Sequence, residues 1–313
     1  MRSLGESQLS VAPIGLGTWA MGATVETWGC VDDNESIAAI HQAVDRGINL
    51  IDTAPIYGLG HSETIVGRAI RHRRSDVLLA TKCGLLFRDG DVQTPHRSLA
   101  PESILRECDD SLRRLKTDTI DLYQCHWPDP DTPIKDTMGA LTSLLAQGKI
   151  RAIGVSNFSC EQIAAAREFG PIHAVQVAFS MLHRRAADDL IPFCREHNIA
   201  VLAYSPLAKG LLTGKFGPND TFEDIRSRDP DFIGDRFQQN LRIVDALSAI
   251  AARYDKTAGQ LALNWTITHP GVTAALAGAK RPSQVRDNTG GTGWAISDED
   301  RTAIEHILRD GPA

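Results

Sequence analysis

Residues 14–22 read Ile-Gly-Leu-Gly-Thr-Trp-Ala-Met-Gly, a short apolar strand running into a glycine-bearing turn. Two parallel architectures open this way. A doubly wound sheet that binds a dinucleotide places G-x-G-x-x-G at this turn. Here Gly15, Gly17 and Gly22 have the wrong spacing for that fingerprint. A closed (β/α)8 barrel makes no such demand on its first strand.

Working outward, seven more β-branched or apolar runs follow: 48–53 (INLIDT), 77–82 (VLLATK), 120–126 (IDLYQCH), 150–156 (IRAIGVS), 173–179 (HAVQVAF), 200–205 (AVLAYS) and 272–278 (VTAALAG). Each is nearly continuously apolar, as parallel strands buried on both faces require. The segments 33–46, 62–70, 101–115, 134–147, 159–168, 186–197, 257–268 and 282–288 have helical spacing. Their punctuation agrees: Pro101 opens a helix with Glu102 in its first turn, Ser159 precedes Glu161 and Gln162, and Gly47, Gly148 and Gly170 lie just past helix ends. Eight βα units predict an α/β fold, a (β/α)8 TIM barrel forming one domain over residues 1–313. Residues 2–11 read as a hairpin plugging one end, 206–240 as a long polar connection, and 297–308 as an added C-terminal helix capped by Ser297.

The 313 residues are 42% hydrophobic and 23% charged, with a net charge of −6, which argues against a nucleic-acid or membrane-surface binder. The six cysteines are scattered without metal spacing, and no metal is expected. A polar N-terminus and the lack of any apolar run near ~18 residues predict a cytoplasmic protein. Nothing in the pattern specifies an oligomeric state.

Barrel enzymes carry their chemistry at the C-terminal strand ends. Those ends bear Asp52, with Tyr57 in the loop beyond, then Lys82, His126, Ser156-Asn157, Gln176, Tyr204-Ser205 and Gly278-Ala279-Lys280-Arg281. Singly, an aspartate or lysine there is an ordinary rim charge. Asp, Lys and His ending three consecutive strands stand side by side. A phenol with a pKa near ~10 needs help to act as an acid–base group. The Lys82 ammonium is expected to lower the pKa of Tyr57, Asp52 to support Lys82, and His126 to donate to a substrate carbonyl. Ser156, Asn157 and Gln176 suit a primary carboxamide such as that of nicotinamide, and Tyr204 suits its ring face. The basic run 278–288 leads into a helix N-terminus, a setting for phosphate.

At these residues the sequence resembles an aldo-keto reductase of the bacterial branch, over about residues 2–290. The resemblance rests on Asn49-Leu-Ile-Asp52-Thr-Ala-Pro-Ile-Tyr57-Gly, Gly60-His-Ser-Glu63, Ala80-Thr-Lys82, Asp121-Leu-Tyr-Gln-Cys-His126-Trp-Pro-Asp-Pro130, Lys149-Ile-Arg-Ala-Ile-Gly-Val-Ser156-Asn157-Phe and Ala203-Tyr204-Ser205-Pro206-Leu207. It implies a catalytic tetrad of Asp52, Tyr57, Lys82 and His126. It further implies phosphate contacts from Ser205, Leu207, Lys209 and Gly210, and an adenosine end framed by Gly278, Lys280, Arg281, Gln284, Asp287 and Asn288. The mammalian-type members place lysine and arginine at the positions of Gly278 and Gln284, and Lys280 and Arg281 are the candidates to substitute for them at a 2′-phosphate. NADP(H) is the expected cofactor, with NAD(H) second, for reduction of an aldehyde or ketone or the reverse on a sugar or polyol. Trp19 and Trp127 are expected pocket walls.

Two rival readings use the same barrel. Lys82 as a Schiff-base nucleophile needs a depressed pKa, which Asp52 opposes. A cofactor-binding regulatory subunit, as the potassium-channel β-subunits of the family exemplify, would retain the same residues. Gly210-Leu-Leu-Thr-Gly214-Lys215 is one residue short of a phosphate loop and reads as a flexible segment over the cofactor, and the 206–240 connection is expected to order when the cofactor binds.

Overall fold

The structure, a computed structural model, describes residues 1–22, 28–29, 31–88 and 91–310. Its strands are β1 (Arg2–Ser3), β2 (Ser10–Val11), β3 (Ile14–Gly17), β4 (Leu50–Asp52), β5 (Leu78–Cys83), β6 (Leu85–Arg88), β7 (Asp91–Arg97), β8 (Leu122–Cys125), β9 (Ile153–Ser156), β10 (Ala174–Ala178), β11 (Ala200–Tyr204) and β12 (Val272–Gly278). All eight predicted barrel strands form. They pair in parallel in the order β3-β4-β5-β8-β9-β10-β11-β12, and β12 closes on β3 with Gly278 opposite Gly17.

The register sorts the barrel interior into layers, each drawn from alternate strands. Leu50, Leu122, Ala174 and Ala274 fill one level, and Gly15, Ala80, Gly154 and Leu202 the next. Above them Asp52, Gln124, Gln176 and Leu276 share a layer, topped by Gly17, Lys82, Ser156 and Tyr204. The filling therefore changes from hydrocarbon to polar groups at one level near the C-terminal mouth. The predicted N-terminal hairpin, β1–β2, packs Leu4, Leu9 and Val11 against the apolar layers and closes the opposite end.

The helix signals hold. Ser159 and Thr257 form full capping boxes, and Pro101 opens its helix. The predicted C-terminal helix runs Asp298–Asp310, with the Asp300 N–H donating to Ser297 Oγ at 3.1 Å. Two expectations are corrected, and one element is added. The connection 206–240 ends early, because a helix Gly234–Ala252 begins inside it. Its polar first turn hides the spacing of buried Phe237, Leu241, Val244, Leu247 and Ala251. The segment 186–197 is a 3-10 turn, Arg185–Ala187, followed by a short helix, Leu190–Glu196. An antiparallel hairpin, β6–β7, follows β5 in a stretch to which the sequence pattern assigns no element. No helix among the described residues is long and apolar enough to cross a membrane.

The exit of β5 is held by a buried carboxylate: the Gly84 N–H donates to Glu107 Oε2 at 3.1 Å, and Ser103 Oγ donates to Oε1 at 3.1 Å. Burial pushes the Glu107 carboxyl up to about 7 against these donors. Unfolded, a glutamate loses its proton near ~4.3. Between those two pH values the folded chain holds more protons, so stability falls as pH rises. Glu107→Gln, which cannot ionise, should therefore match the wild type near pH 4.5 and exceed it by up to roughly 3 kcal/mol at pH 8. Urea unfolding at the two pH values checks this; a constant difference between them would refute it.

Candidate active site

The loop after β4 is shaped by glycine. Gly58, Leu59 and Gly60 are consecutive left-handed residues, with φ of 63°, 55° and 88°. A Cβ on Gly58 would lie 2.3 Å from the Gly22 carbonyl oxygen, and one on Gly22 2.4 Å from the Tyr57 carbonyl oxygen. This backbone contact sets Tyr57 over the barrel mouth. Helix His61–Ile70 then anchors the loop from beneath. Ser62 Oγ lies 2.8 Å from Thr18 Oγ1 and 3.0 Å from Thr53 Oγ1. The fully buried Glu63 accepts from Thr81 Oγ1 at 2.7 Å and from Arg114 Nε at 2.6 Å. The Gly-His-Ser-Glu motif is thus the scaffold of the tyrosine loop.

Above it the four predicted residues come together. Lys82 has no exposed surface. Its Nζ donates to Asp52 Oδ2 at 2.7 Å, to the Thr53 carbonyl at 3.0 Å and to Tyr57 Oη at 3.2 Å. Burial works to lower the lysine pKa, but Asp52 and Tyr57 prevail, and the ammonium is held above its ordinary value. Tyr57 differs from expectation. Lys82 does pull its pKa down, yet burial is the larger effect, and the phenol is held above its ordinary value. His126 packs edge-on to Tyr57, ring centroids 6.0 Å apart. Burial, then the Lys82 charge, hold its pKa well below the usual histidine value, so at neutral pH it is an uncharged imidazole. On the other side Trp19, 38% exposed, lies 6.2 Å from the Tyr57 ring centroid. Trp127 carries the Arg97 guanidinium from β7 on its ring at 5.0 Å.

The carboxamide-type residues form one network with the tetrad. Asn157 Nδ2 donates to the His126 carbonyl at 3.1 Å and to Ser156 Oγ at 3.0 Å, while its Oδ1 accepts from Tyr204 Oη at 3.0 Å. Gln176 Nε2 points down to Asp52 Oδ1 at 2.8 Å. Asn157, Ser205, Ala208 and Lys209 are left-handed non-glycine residues, with φ of 46–62°, a strained conformation that concentrates at functional sites. Leu207 and Gly210 belong to the same turn, where Gly210 has φ 93°. Lys209 pairs with Asp229 across the segment that follows β11. That segment has an aromatic core of its own, Phe216, Phe222, Phe232 and Phe237 packed largely edge to face.

At the end of β12, Lys280 Nζ donates to the Trp28 carbonyl at 2.9 Å and its N–H to Gln284 Oε1 at 2.9 Å. Asn288 Nδ2 donates to the Gly278 carbonyl at 3.3 Å, and Asp287 Oδ1 accepts from Gln260 Nε2 at 3.0 Å. Arg281 is exposed and, with Lys280, lines a cleft of about 810 Å³ whose facing wall is Val31, Asp32, Asp33 and Glu35.

Sequence reasoning missed Arg226 and named Lys215 only as part of the Gly210–Lys215 segment; the segment after β11 folds both toward Lys280. Burial, Arg226 and Lys280 hold the Lys215 pKa below normal; burial, Arg281 and Arg226 do the same to Lys280, with Asp224 opposing in each case. Arg226 stacks on Trp28 and Phe216, both at 5.3 Å. Nothing local in Lys215-Phe or Ile-Arg226-Ser signals this convergence. Gln124, buried beside Asp52, was missed too, although it stands within the quoted Asp121–Pro130 motif.

A closed parallel barrel with Asp, Tyr, Lys and His gathered at its C-terminal mouth defines a class of barrel oxidoreductases. The model of the aldo/keto reductase family matches residues 13–309. The aldo-keto reductase YhdN of Bacillus subtilis is 42% identical over 98% of this chain and 93% of its own length. An NADH-specific methylglyoxal reductase of Escherichia coli is 36% identical over 97% of each. Among solved structures, the glycerol dehydrogenase AKR11B4 of Gluconobacter oxydans superposes with a TM-score of 0.92 at 41% identity, covering 99% of this chain and 95% of that one. An aldo/keto reductase of Klebsiella pneumoniae in complex with NADP and acetate gives 0.76 at 30% identity, covering 100% and 96%. The chain belongs to the aldo/keto reductase family, oxidoreductases of carbonyls and alcohols.

Breaking a buried ion pair from one side leaves an uncompensated charge. Glu63 is buried but the Arg114 side chain is 30% exposed, so Glu63→Gln, nearly isosteric, should cost about 1–3 kcal/mol of stability. Urea unfolding measures this, and a loss below about 1 kcal/mol would mean Arg114 is served by solvent instead.

Proposed function

We propose that the protein is an NADP(H)-dependent carbonyl reductase, with NAD(H) as second cofactor, in which Tyr57 is the general acid. The observation that carries this reading is the buried Lys82 ammonium, bonded at once to Asp52 and to Tyr57 Oη. A phenol raised by burial keeps its proton at neutral pH, and the ammonium beside it stabilises the phenolate left once the proton is given. Neutral His126 is placed to donate to the carbonyl oxygen that receives that proton. The same groups run in reverse for alcohol oxidation.

The convergence of Lys215, Arg226 and Lys280, together with a cleft lined by Lys280 and Arg281, fits an anionic dinucleotide, although Asp224 and the cleft's own Asp32, Asp33 and Glu35 offset part of that charge. When bound, a nicotinamide cofactor supplies or accepts the hydride. Asn157 and Gln176 are placed to hold its carboxamide, Tyr204 to meet its ring, and Ser205, Leu207, Lys209 and Gly210 to line its diphosphate. Lys280 and Arg281 favour a 2′-phosphate, as does the NADP bound to the Klebsiella protein; the acidic wall at Asp32 and Glu35 and the NADH-specific E. coli relative support NAD(H) as the second choice. A Schiff base on Lys82 is disfavoured, because an ammonium held above its ordinary pKa is a poor nucleophile.

Tyr57→Phe should lower carbonyl reduction by about 10²–10⁴-fold while leaving cofactor affinity within threefold. In the wild type neither Tyr57, Lys82 nor His126 titrates between about pH 7 and 9, so the reductive rate should be flat there; near-normal turnover by the variant, or a limb inside that window, would sink the assignment. Titration with NADPH and NADH, followed by tryptophan fluorescence, should give micromolar affinity and a preference for NADPH that Arg281→Ala reduces at least tenfold. No preference in the wild type would reverse the order of cofactors.

A further inference from the structure

We propose that Gln124 is a positioning residue for the reaction: it turns the Asp52 carboxylate toward Lys82 and fixes which end of the Gln176 amide faces the mouth. The proposal rests on the roles given above to Asp52, Lys82 and Tyr57. Gln124 has no exposed surface and lies in the barrel layer shared by Asp52 and Gln176.

An ionised carboxylate only accepts hydrogen bonds, so chemistry dictates the amide orientations in this layer. Gln124 Nε2 donates to Asp52 Oδ1 at 3.2 Å, and Gln176 Nε2 donates to the same oxygen at 2.8 Å. The second hydrogen of Gln176 Nε2 goes to Gln124 Oε1 at 3.3 Å. The other carboxylate oxygen, Oδ2, is left to Lys82.

Two consequences follow. Asp52 is 3% exposed, and burying a carboxylate is costly unless its lone pairs are met. Two neutral donors on Oδ1 meet them without adding a second cation to compete with Lys82. Gln176, with both amide hydrogens committed, can present only Oε1 upward, and so accepts from a donor such as a carboxamide NH₂.

The barrel also leaves space for this arrangement. A Cβ on Gly154 of β9 would sit 2.8 Å from Gln124 Cγ, 3.1 Å from Leu122 Cδ1 and 3.2 Å from the Ala174 carbonyl oxygen. Gly154 has no positive φ, so room, rather than backbone conformation, is what glycine provides there.

The test compares Gln124→Met, which keeps length and removes donor and acceptor, with Gln124→Glu, in steady-state carbonyl reduction across pH 5–9. Gln124→Met should lower kcat at least tenfold at every pH, with the carbonyl KM within twofold of wild type. In Gln124→Glu two carboxyl groups share the site, so one is driven to a raised pKa. While protonated it donates to Asp52 as the amide did. Its kcat should therefore approach the wild-type value at the acid end and fall as pH rises, a limb absent from the wild type and from Gln124→Met.

Equal losses in the two variants with the wild-type pH dependence would mean that Gln124 only fills space, and would overturn the proposal. So would a Gln124→Met kcat within twofold of wild type. Should Gln124→Met fail to fold, the profile of Gln124→Glu decides alone. Every reading is a ratio to wild type, so failure of the parent assignment is seen separately, as turnover by Tyr57→Phe.

Discussion

A lysine on an interior barrel strand, closed off from water, must be neutralised where it lies. An unpaired ammonium there would lose its proton before the fold accepted it. The Lys82–Asp52 pair meets this condition, and much of the mouth is arranged around it. Asp52 must arrive from the neighbouring strand at the height that puts Oδ2 on Nζ, which the parallel register of β4 and β5 ensures. Its other oxygen needs donors, which come from β8 and β10. The same ammonium helps keep His126 uncharged and draws the phenol of Tyr57 into reach. One buried charge thus specifies the polarity of an entire layer.

The barrel was legible because its strands are buried on both faces and therefore appear as unbroken apolar runs, each tied to a helix by capping signals that local chemistry dictates. Helix Gly234–Ala252 escaped notice because Gly-Asp-Arg at its start imitates a loop, and its apolar stripe emerges only from Phe237 onward. Hairpin β6–β7 escaped for a related reason: Asp-Val-Gln-Thr-Pro-His-Arg is polar and interrupted by proline, and Thr94, Pro95 and Arg97 are exposed.

At the site, residues at strand ends could be read because the fold assigns strand ends to the mouth. Gln124 stands two residues before His126, and its direction depends on pairing with Lys82 and Gly154, which no local pattern encodes. Lys215 and Arg226 approach Lys280 only through the long return of the segment after β11. The phenol of Tyr57 shows another limit. Charges near it were visible in the motif, but the degree of its burial was not, and burial outweighs the neighbouring ammonium.

The hairpin that plugs the barrel has a practical consequence. Leu4, Leu9 and Val11 face inward at the end remote from Lys82 and Tyr57, while Met1 beside them is 75% exposed. Anything joined to the first residue emerges from the closed floor of the molecule. Coupled to a bead or electrode through that end, the protein would stand with its open mouth toward the solution, and a fused partner there would leave the passage to Tyr57 unobstructed.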